Sequence, residues 1–112
     1  AVCFPQGQYD GNTAYWNVGY NFTPNNAADD VQFFVELAEY LQETHDLSPE
    51  NTFSSGMSNG AEVSYLLACE ASETFAAIAG VAGTMFNGII NNCTATQHVS
   101  IMEIHGTQDN VT

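Results

Sequence analysis

The order of apolar and polar residues along the chain predicts strands that alternate with helices. Helices are expected at Asp29 to Thr44 and Ala61 to Ala71, two runs that contain no glycine or proline. Short runs suited to strands lie at Ala1 to Phe4, Thr52 to Ser55, Ala76 to Ala82 and Val99 to His105. This alternation is typical of an α/β fold, in which helical crossovers connect the strands of a parallel sheet.

The two predicted helices differ in the faces that they would bury. The first carries one apolar stripe of Val31, Phe34, Val35, Ala38 and Leu41 and a second of Phe33, Leu37 and Tyr40, so burial on more than one side is expected. Asn26 is a candidate N-cap, and Asp29 and Asp30 suit the positive helix end, which favours a structural role for the pair over a catalytic or metal-binding one. The second helix has a face of mostly small residues that should pack closely on the sheet: Ala61, Ser64, Tyr65 and Ala68.

Residues 56–60 read Gly-Met-Ser-Asn-Gly, a G-x-S-x-G pattern between a predicted strand and a predicted helix. That context is typical of a nucleophile elbow, a turn so tight that it needs flanking glycines and unusual dihedrals. Such a turn would expose the Ser58 hydroxyl. It would also place the backbone N–H of Asn59 at a helix N-terminus, as a candidate oxyanion-hole donor. The alternative is that Ser58 only caps the helix.

Charge narrows the possible partners. The 112 residues include 13 acidic side chains and no lysine or arginine, which gives a formal net charge of −13 at pH 7. Nucleic acids and anionic membrane surfaces are recognised largely through basic side chains, so neither is an expected partner. No apolar run approaches the roughly 20 residues of a membrane-spanning helix.

The three cysteines bear on the cellular compartment. Cys69 and Cys93 flank the third predicted strand, and their spacing is compatible with a disulfide or with two reduced, buried thiols. A disulfide there would stabilise the fold by about 3 kcal/mol and would indicate an oxidising compartment. Cys3 lies in the first predicted strand and is expected to be a packed core thiol.

Two loops hold the remaining candidate residues. The loop between Gly7 and Asn26 is rich in aromatic residues, and Trp16 and its neighbours are expected to pack on the sheet rather than to line a binding surface. After the last strand, Asp109 occupies the acid position in the Ser, acid, His order of hydrolases; the alternative is an ordinary exposed turn. His105 precedes that acid, so it is interpreted as structural, and these residues offer no convincing general base.

Several motifs together resemble the extracellular α/β-hydrolase esterases that include polyhydroxybutyrate depolymerases and feruloyl or acetylxylan esterases. They are Phe4 to Gly7, Trp16 to Gly19, Asp29 to Val31, Gly56 to Gly60, Leu67 to Glu70, Phe75 to Ala79 and His105 to Asp109. The resemblance implies a three-layer α/β/α fold with a parallel sheet. It further implies a nucleophile at Ser58, a triad acid at Asp109, an oxyanion-hole amide at Asn59 and a disulfide between Cys69 and Cys93.

The resemblance also implies that residues 1–112 are the central piece of one α/β-hydrolase catalytic domain. The upstream strand and His-Gly loop of such enzymes would precede Ala1, and their catalytic His would follow Thr112. Without that upstream strand, the strands at Ala1 and Thr52 would have unpaired edges, so this piece alone is expected to be unstable or to aggregate. Ser54, Ser55 and Glu103 are polar for strands of this family.

The resulting hypothesis is a secreted or periplasmic serine esterase that hydrolyses polyester or plant cell-wall esters through an acyl-enzyme at Ser58. Its partner would be an ester substrate, small or polymeric, and it would need no metal or cofactor. One alternative is a serine peptidase of the prolyl-oligopeptidase type, although Trp16-Asn17 fits the esterases better. The other is a non-catalytic binding protein that uses the same fold.

Overall fold

A computed structural model describes residues 1–9, 11–25 and 27–112. The elements in chain order are β1 (Gln8–Tyr9), β2 (Ala14–Tyr15), α1 (Asp30–His45), a 3-10 turn (Pro49–Asn51), β3 (Phe53–Met57), α2 (Asn59–Glu70), β4 (Ala77–Val81), α3 (Asn87–Ile90) and β5 (Ser100–Ile104). Both predicted helices and the last three predicted strands are thus confirmed, with small shifts at their ends. The short antiparallel pair β1 and β2 was not predicted.

The main sheet is parallel and has the order β3-β4-β5. Phe53 lies opposite Ala77, and Ala77 lies opposite Ser100, so the three strands end together at Met57, Val81 and Ile104. The chain segments that follow these strands therefore meet at one edge of the sheet, the edge formed by the carboxyl ends of the strands. Ser58 and His105 both lie at that edge.

Helix α2 covers one face of this sheet, as its small residues predict. Ala61 and Ser64 are fully buried, and Tyr65 and Ala68 are nearly so. One core cluster joins α2 to β4 and α3 through Tyr65, Ala68, Cys69, Ile78 and Ile89. A second joins α2 to α1 and contains Leu67, Ala71 and Phe75, packed against Val31, Phe34 and Val35. Both clusters lie on the same side of the sheet as α2.

The opposite face of the sheet has no helix over it among the described residues. Phe53, Met57, Met102 and Ile104 point to that face in the strand register, and each is more than half exposed. The described residues thus form an α/β fold of two layers. The third layer that the resemblance implies is not formed by them.

The predicted strand at Ala1 to Phe4 is wrong for this structure, because no strand occurs within residues 1–7. Val2 and Phe4 are 81% and 92% exposed, and Cys3 is a free, exposed thiol rather than a core one. A strand is stabilised by hydrogen bonds to a neighbouring strand. Neither outer edge of the three-stranded sheet, on β3 or on β5, has a partner strand among the described residues.

Helix α1 is buried on one side only. Asp29 caps it, since its carboxylate accepts a hydrogen bond from the Gln32 N–H at 2.9 Å, while the predicted cap Asn26 lies outside the described residues. In the second apolar stripe, Phe33 is 40% and Tyr40 is 62% exposed. The expectation of burial on several sides is therefore wrong for the described residues, where α2 is the helix that packs against α1.

The structure gives reasons for two of the three unusual polar strand residues. Ser54 points toward α2, where its hydroxyl lies 2.8 Å from that of Ser64, which in turn donates to the Gly60 carbonyl at 2.9 Å. A buried hydroxyl is tolerated when it is hydrogen-bonded in this way. Glu103 lies beside His105, with 3.4 Å between its Oε1 and the imidazole Nδ1.

Candidate active site

Ser58 occupies the turn from β3 to α2 in a strained conformation. Its φ of 52° and ψ of −123° are rare for a residue with a side chain, and such strain is concentrated at functional sites. The backbone holds it there, because the Ser58 N–H donates to the Val81 carbonyl at 2.9 Å and the Ser58 carbonyl accepts from the Ala61 N–H at 2.8 Å. The side chain is exposed and makes no capping hydrogen bond to α2, so Ser58 is not a simple side-chain N-cap.

The two glycines of the pentapeptide have different roles. A Cβ at Gly56 would lie 2.3 Å from the carbonyl carbon and oxygen of Gly60, so the strand and the helix start can approach only if residue 56 is glycine. At Gly60 itself, a Cβ would meet no atom within 4 Å. Gly83, after β4, is a third close-approach position, since its Cβ would lie 2.7 Å from the Ser58 carbonyl oxygen. Sterics therefore require glycine at Gly56 and Gly83 around the turn, and not at Gly60.

Asn59 is the first residue of α2, where a backbone N–H has no partner within the helix. Its side chain reaches a distant part of the chain. The Oδ1 accepts a hydrogen bond from the Trp16 N–H at 2.6 Å, and the Nδ2 donates to the Trp16 carbonyl and to the Tyr20 hydroxyl, both at 3.0 Å. The predicted oxyanion donor thus also binds the aromatic loop through its side chain.

The aromatic loop, which lies between Gly7 and Asn26, both packs on the fold and borders Ser58. The Trp16 ring lies 4.8 Å from that of Phe34, so Trp16 packs on helix α1 and not on the sheet as expected. A cavity of about 290 Å³ beside Ser58 is also lined by this loop, and its lining includes Gln6, Tyr15, Trp16, Met57 and Asn59. The two interpretations of the loop are therefore compatible.

Tyr20 extends the contact between the loop and α2. Its hydroxyl forms a short hydrogen bond with the Glu62 carboxylate, and its ring stacks 5.8 Å from Phe86. Burial, followed by the hydrogen bond to Glu62, raises the pKa of Tyr20 to about 12. The hydroxyl thus stays protonated at neutral pH and can donate to Glu62. Tyr20, Glu62 and the Asn59 side chain were not predicted from the sequence, where no pattern connects residues 39 to 42 positions apart.

The turn after β5 brings His105 and Asp109 together. The His105 Nε2 lies 3.5 Å from the Asp109 Oδ2 and 3.2 Å from the Thr112 carbonyl oxygen. Hydrogen bonds from the backbone N–H groups of Val111 and Thr112 hold the pKa of Asp109 below its usual value, with smaller help from His105. Asp109 is therefore an ionised acceptor in an exposed turn.

Ser58 and Asp109 lie at the same edge of the sheet, but they follow different strands. Strand β4 separates β3 from β5, so about 10 Å of sheet lies between the two strand ends. The described residues alone do not connect the predicted nucleophile to the predicted acid.

Cys69 and Cys93 form a disulfide with a Cα–Cα distance of 4.8 Å, as the resemblance implies. The bond joins the last turn of α2 to the segment after α3 and closes a loop that contains β4. Within the described ranges, no group of three or more His, Cys, Asp or Glu side chains is placed to hold a metal ion. No helix in this part of the chain is long and apolar enough to span a membrane.

Comparison with known proteins connects the chain distantly to esterases. It is 30% identical to feruloyl esterase B of Piromyces equi over 112 residues, which cover 98% of this chain and 20% of that protein. It is 28% identical over 88 residues to a probable feruloyl esterase C of Aspergillus clavatus, covering 78% of this chain and 31% of the relative. No protein-family model matches. These similarities support an esterase-like relationship. The chain spans only 20% to 31% of the length of these relatives.

Proposed function

We propose that this chain is part of a serine esterase of the α/β-hydrolase type, with Ser58 as the nucleophile. The observation that carries the proposal is the strained, exposed Ser58 between a parallel strand and the N-terminus of α2. An unfavourable φ at a non-glycine residue persists only when the surrounding structure fixes it, and such residues cluster at active sites. The similarity to proteins named feruloyl esterases agrees with this chemistry.

In the proposed reaction, the Ser58 Oγ attacks the carbonyl carbon of an ester while a general base takes its proton. The tetrahedral oxyanion is stabilised by the Asn59 N–H and by the positive end of the α2 dipole. Collapse of the intermediate breaks the C–O bond, and the alcohol leaves with a proton returned by the base. Water then attacks the acyl-enzyme and releases the acid and free Ser58.

Asp109 is proposed as the acid that orients the base. Its lowered pKa keeps it ionised at neutral pH, as that role requires. His105 is already placed between Glu103 and Asp109, and the Ser, acid, His chain order assigns the base to a histidine later in the protein. We therefore propose that the base comes from a part of the enzyme beyond these residues.

The proposed substrate is an ester with an aromatic acyl group, of the kind found in plant cell walls. The cavity beside Ser58 has Tyr15, Trp16 and Met57 in its lining, a combination that suits a flat, apolar ring. The names of the two relatives specify feruloyl esters. The disulfide favours an extracytoplasmic location for the enzyme, secreted or periplasmic.

The test is a pair of serine variants in the full-length enzyme that carries this segment. Ser58→Ala should abolish hydrolysis of methyl ferulate and labelling by a fluorophosphonate probe. Ser55→Ala is the matched control, because Ser55 lies three residues upstream on the open face of β3, and its activity should be retained. Turnover by Ser58→Ala would refute the proposal. A folded wild-type protein that the probe fails to label would instead support the non-catalytic alternative.

A further inference from the structure

We propose that the side chain of Asn59 is a positioning residue that holds the aromatic loop against the nucleophile turn and thereby fixes one wall of the substrate cavity. Its carboxamide makes three hydrogen bonds to two residues of this loop. It accepts one from the Trp16 N–H and donates one to the Trp16 carbonyl and one to the Tyr20 hydroxyl. The inference rests on the proposed function, since the wall matters only if Ser58 acts on a substrate.

The Asn59 side chain forms two hydrogen bonds of opposite direction with the backbone of Trp16. The Asn59 amide donates to and accepts from the same residue, much as a neighbouring strand would, so it fixes both the distance and the orientation of the Trp16 backbone. Three of the four hydrogen-bonding capacities of a carboxamide are used. An aspartate could accept from the Trp16 N–H but, when ionised, could donate neither to the Trp16 carbonyl nor to Tyr20.

The other contacts of the loop hold it to different parts of the fold. The Asn17 N–H donates to Asp30 at 2.6 Å and ties the loop to α1, and the Trp16 ring packs on Phe34 of the same helix. Tyr20 and Glu62 add a contact to the first turn of α2. Among these partners, only Asn59 is adjacent in sequence to Ser58. Its hydrogen bonds therefore fix the position of the loop relative to the turn that contains Ser58.

The consequence concerns substrate binding more than the chemical step. Tyr15 and Trp16 line the cavity together with Ser58, whereas the Asn59 backbone N–H is present whatever the side chain. Loss of the carboxamide should therefore displace the aromatic wall and weaken the binding of a bulky acyl group. The oxyanion donor would remain, so a small aliphatic ester should be affected much less.

The experiment compares Asn59→Ala and Asn59→Asp with wild type in the full-length enzyme. Two or three lost hydrogen bonds should raise KM for methyl ferulate by roughly tenfold, a larger factor than the change in KM for methyl butyrate. Hydrogen–deuterium exchange gives a readout independent of activity, because the Trp16 amide should lose its protection in Asn59→Ala. For Asn59→Asp, the KM ratio to wild type should shrink toward acidic pH, where the protonated carboxyl can donate again. Asn51→Asp, which adds the same charge at an exposed site in the turn before β3, is the control and should show no such pH dependence.

Unchanged protection of the Trp16 amide in Asn59→Ala would overturn the inference, as would an unchanged KM for methyl ferulate in a labelled, active enzyme. An equal loss of kcat on both esters with KM unchanged would also overturn it, because Asn59 would then act on the reaction step. If Asn59→Ala fails to fold, the nearly isosteric Asn59→Asp still supplies the KM ratio and its pH dependence, which report the two lost donations to the Trp16 carbonyl and the Tyr20 hydroxyl. Failure of the wild-type protein to react with a fluorophosphonate would refute the esterase, while the exchange measurement would still decide whether Asn59 holds the loop.

Discussion

Two alanine substitutions in the same pentapeptide should have clearly different effects on stability. Gly56→Ala places a methyl group 2.3 Å from the Gly60 carbonyl, whereas ordinary contacts begin near 3.4 Å, so the two segments would have to move apart by about 1 Å. Both sides of this contact are backbone, and neither can rotate away as a flexible side chain would. The end of β3 and the start of α2 would therefore have to separate as whole backbone segments.

The cost can be estimated from overpacked cores, where an extra methylene destabilises by typically 1 to 3 kcal/mol. Because the contact here involves only backbone, Gly56→Ala should cost about 3 kcal/mol, which lowers the ratio of folded to unfolded protein by roughly a hundredfold. Gly60→Ala introduces no contact within 4 Å and replaces glycine near the start of α2. It should be neutral or stabilising by up to about 1 kcal/mol, since alanine has the higher helix propensity.

The assay is urea unfolding of the wild-type protein and both variants, followed by far-UV circular dichroism with the free energy of unfolding extrapolated to water. The predicted quantity is the difference between the free energies of unfolding of the two variants. Effects that any substitution in the turn would have are common to both variants and cancel in this difference. Equal destabilisation by the two substitutions, or a Gly56→Ala protein as stable as wild type, would show that β3 and α2 do not approach as closely as described.

Two further predictions concern stability. Replacing Cys69 and Cys93 together by serine should lower the free energy of unfolding by about 3 kcal/mol, whereas Cys3→Ser, which removes an exposed free thiol, should leave it unchanged; equal effects in chemical denaturation would contradict the disulfide assignment. Burial raises the pKa of the Asp30 carboxyl in the folded protein above its value in the unfolded chain. The contribution of this carboxyl to the free energy of unfolding is therefore fully present below the pKa of the unfolded state and is lost as the pH rises through the pKa of the folded state. Asp30→Asn retains an acceptor for the Asn17 N–H and has no charge to bury, so it should gain stability relative to wild type as the pH rises above the ordinary aspartate pKa of about 3.9; unfolding curves with the same pH dependence for both proteins would refute this.

Local patterns in the sequence were sufficient for the elements that depend on short-range rules. Both helices and strands β3, β4 and β5 follow from apolar periodicity and from glycine and proline positions. The turn at Ser58 follows from its pentapeptide, because glycine and a strand-to-helix transition restrict the backbone locally. The face of α2 that packs on the sheet was likewise predictable, since residues three and four positions apart share one side of a helix.

Features that depend on a partner distant in sequence could be decided only by the tertiary structure. The residues at Ala1 to Phe4 have an apolar pattern suited to a strand, yet no neighbouring strand is present among the described residues to hold them as one. The second stripe of α1 is apolar but mostly exposed for the same reason, because burial requires a surface to pack against. The pairing of Cys69 with Cys93 was open on spacing alone and was implied only by the family resemblance.

The candidate site divides in the same way. Candidate groups carried by one residue in one turn, such as the hydroxyl of Ser58 or the carboxylate of Asp109, can be predicted from local sequence. The contact of Asn59 with Trp16 and Tyr20 spans about 40 residues and exists only because α1, α2 and the aromatic loop pack together. Sequence by itself therefore determined which groups are candidates for the reaction, because each depends on a local turn, whereas the packing of distant segments decided which side chains meet and what surrounds Ser58.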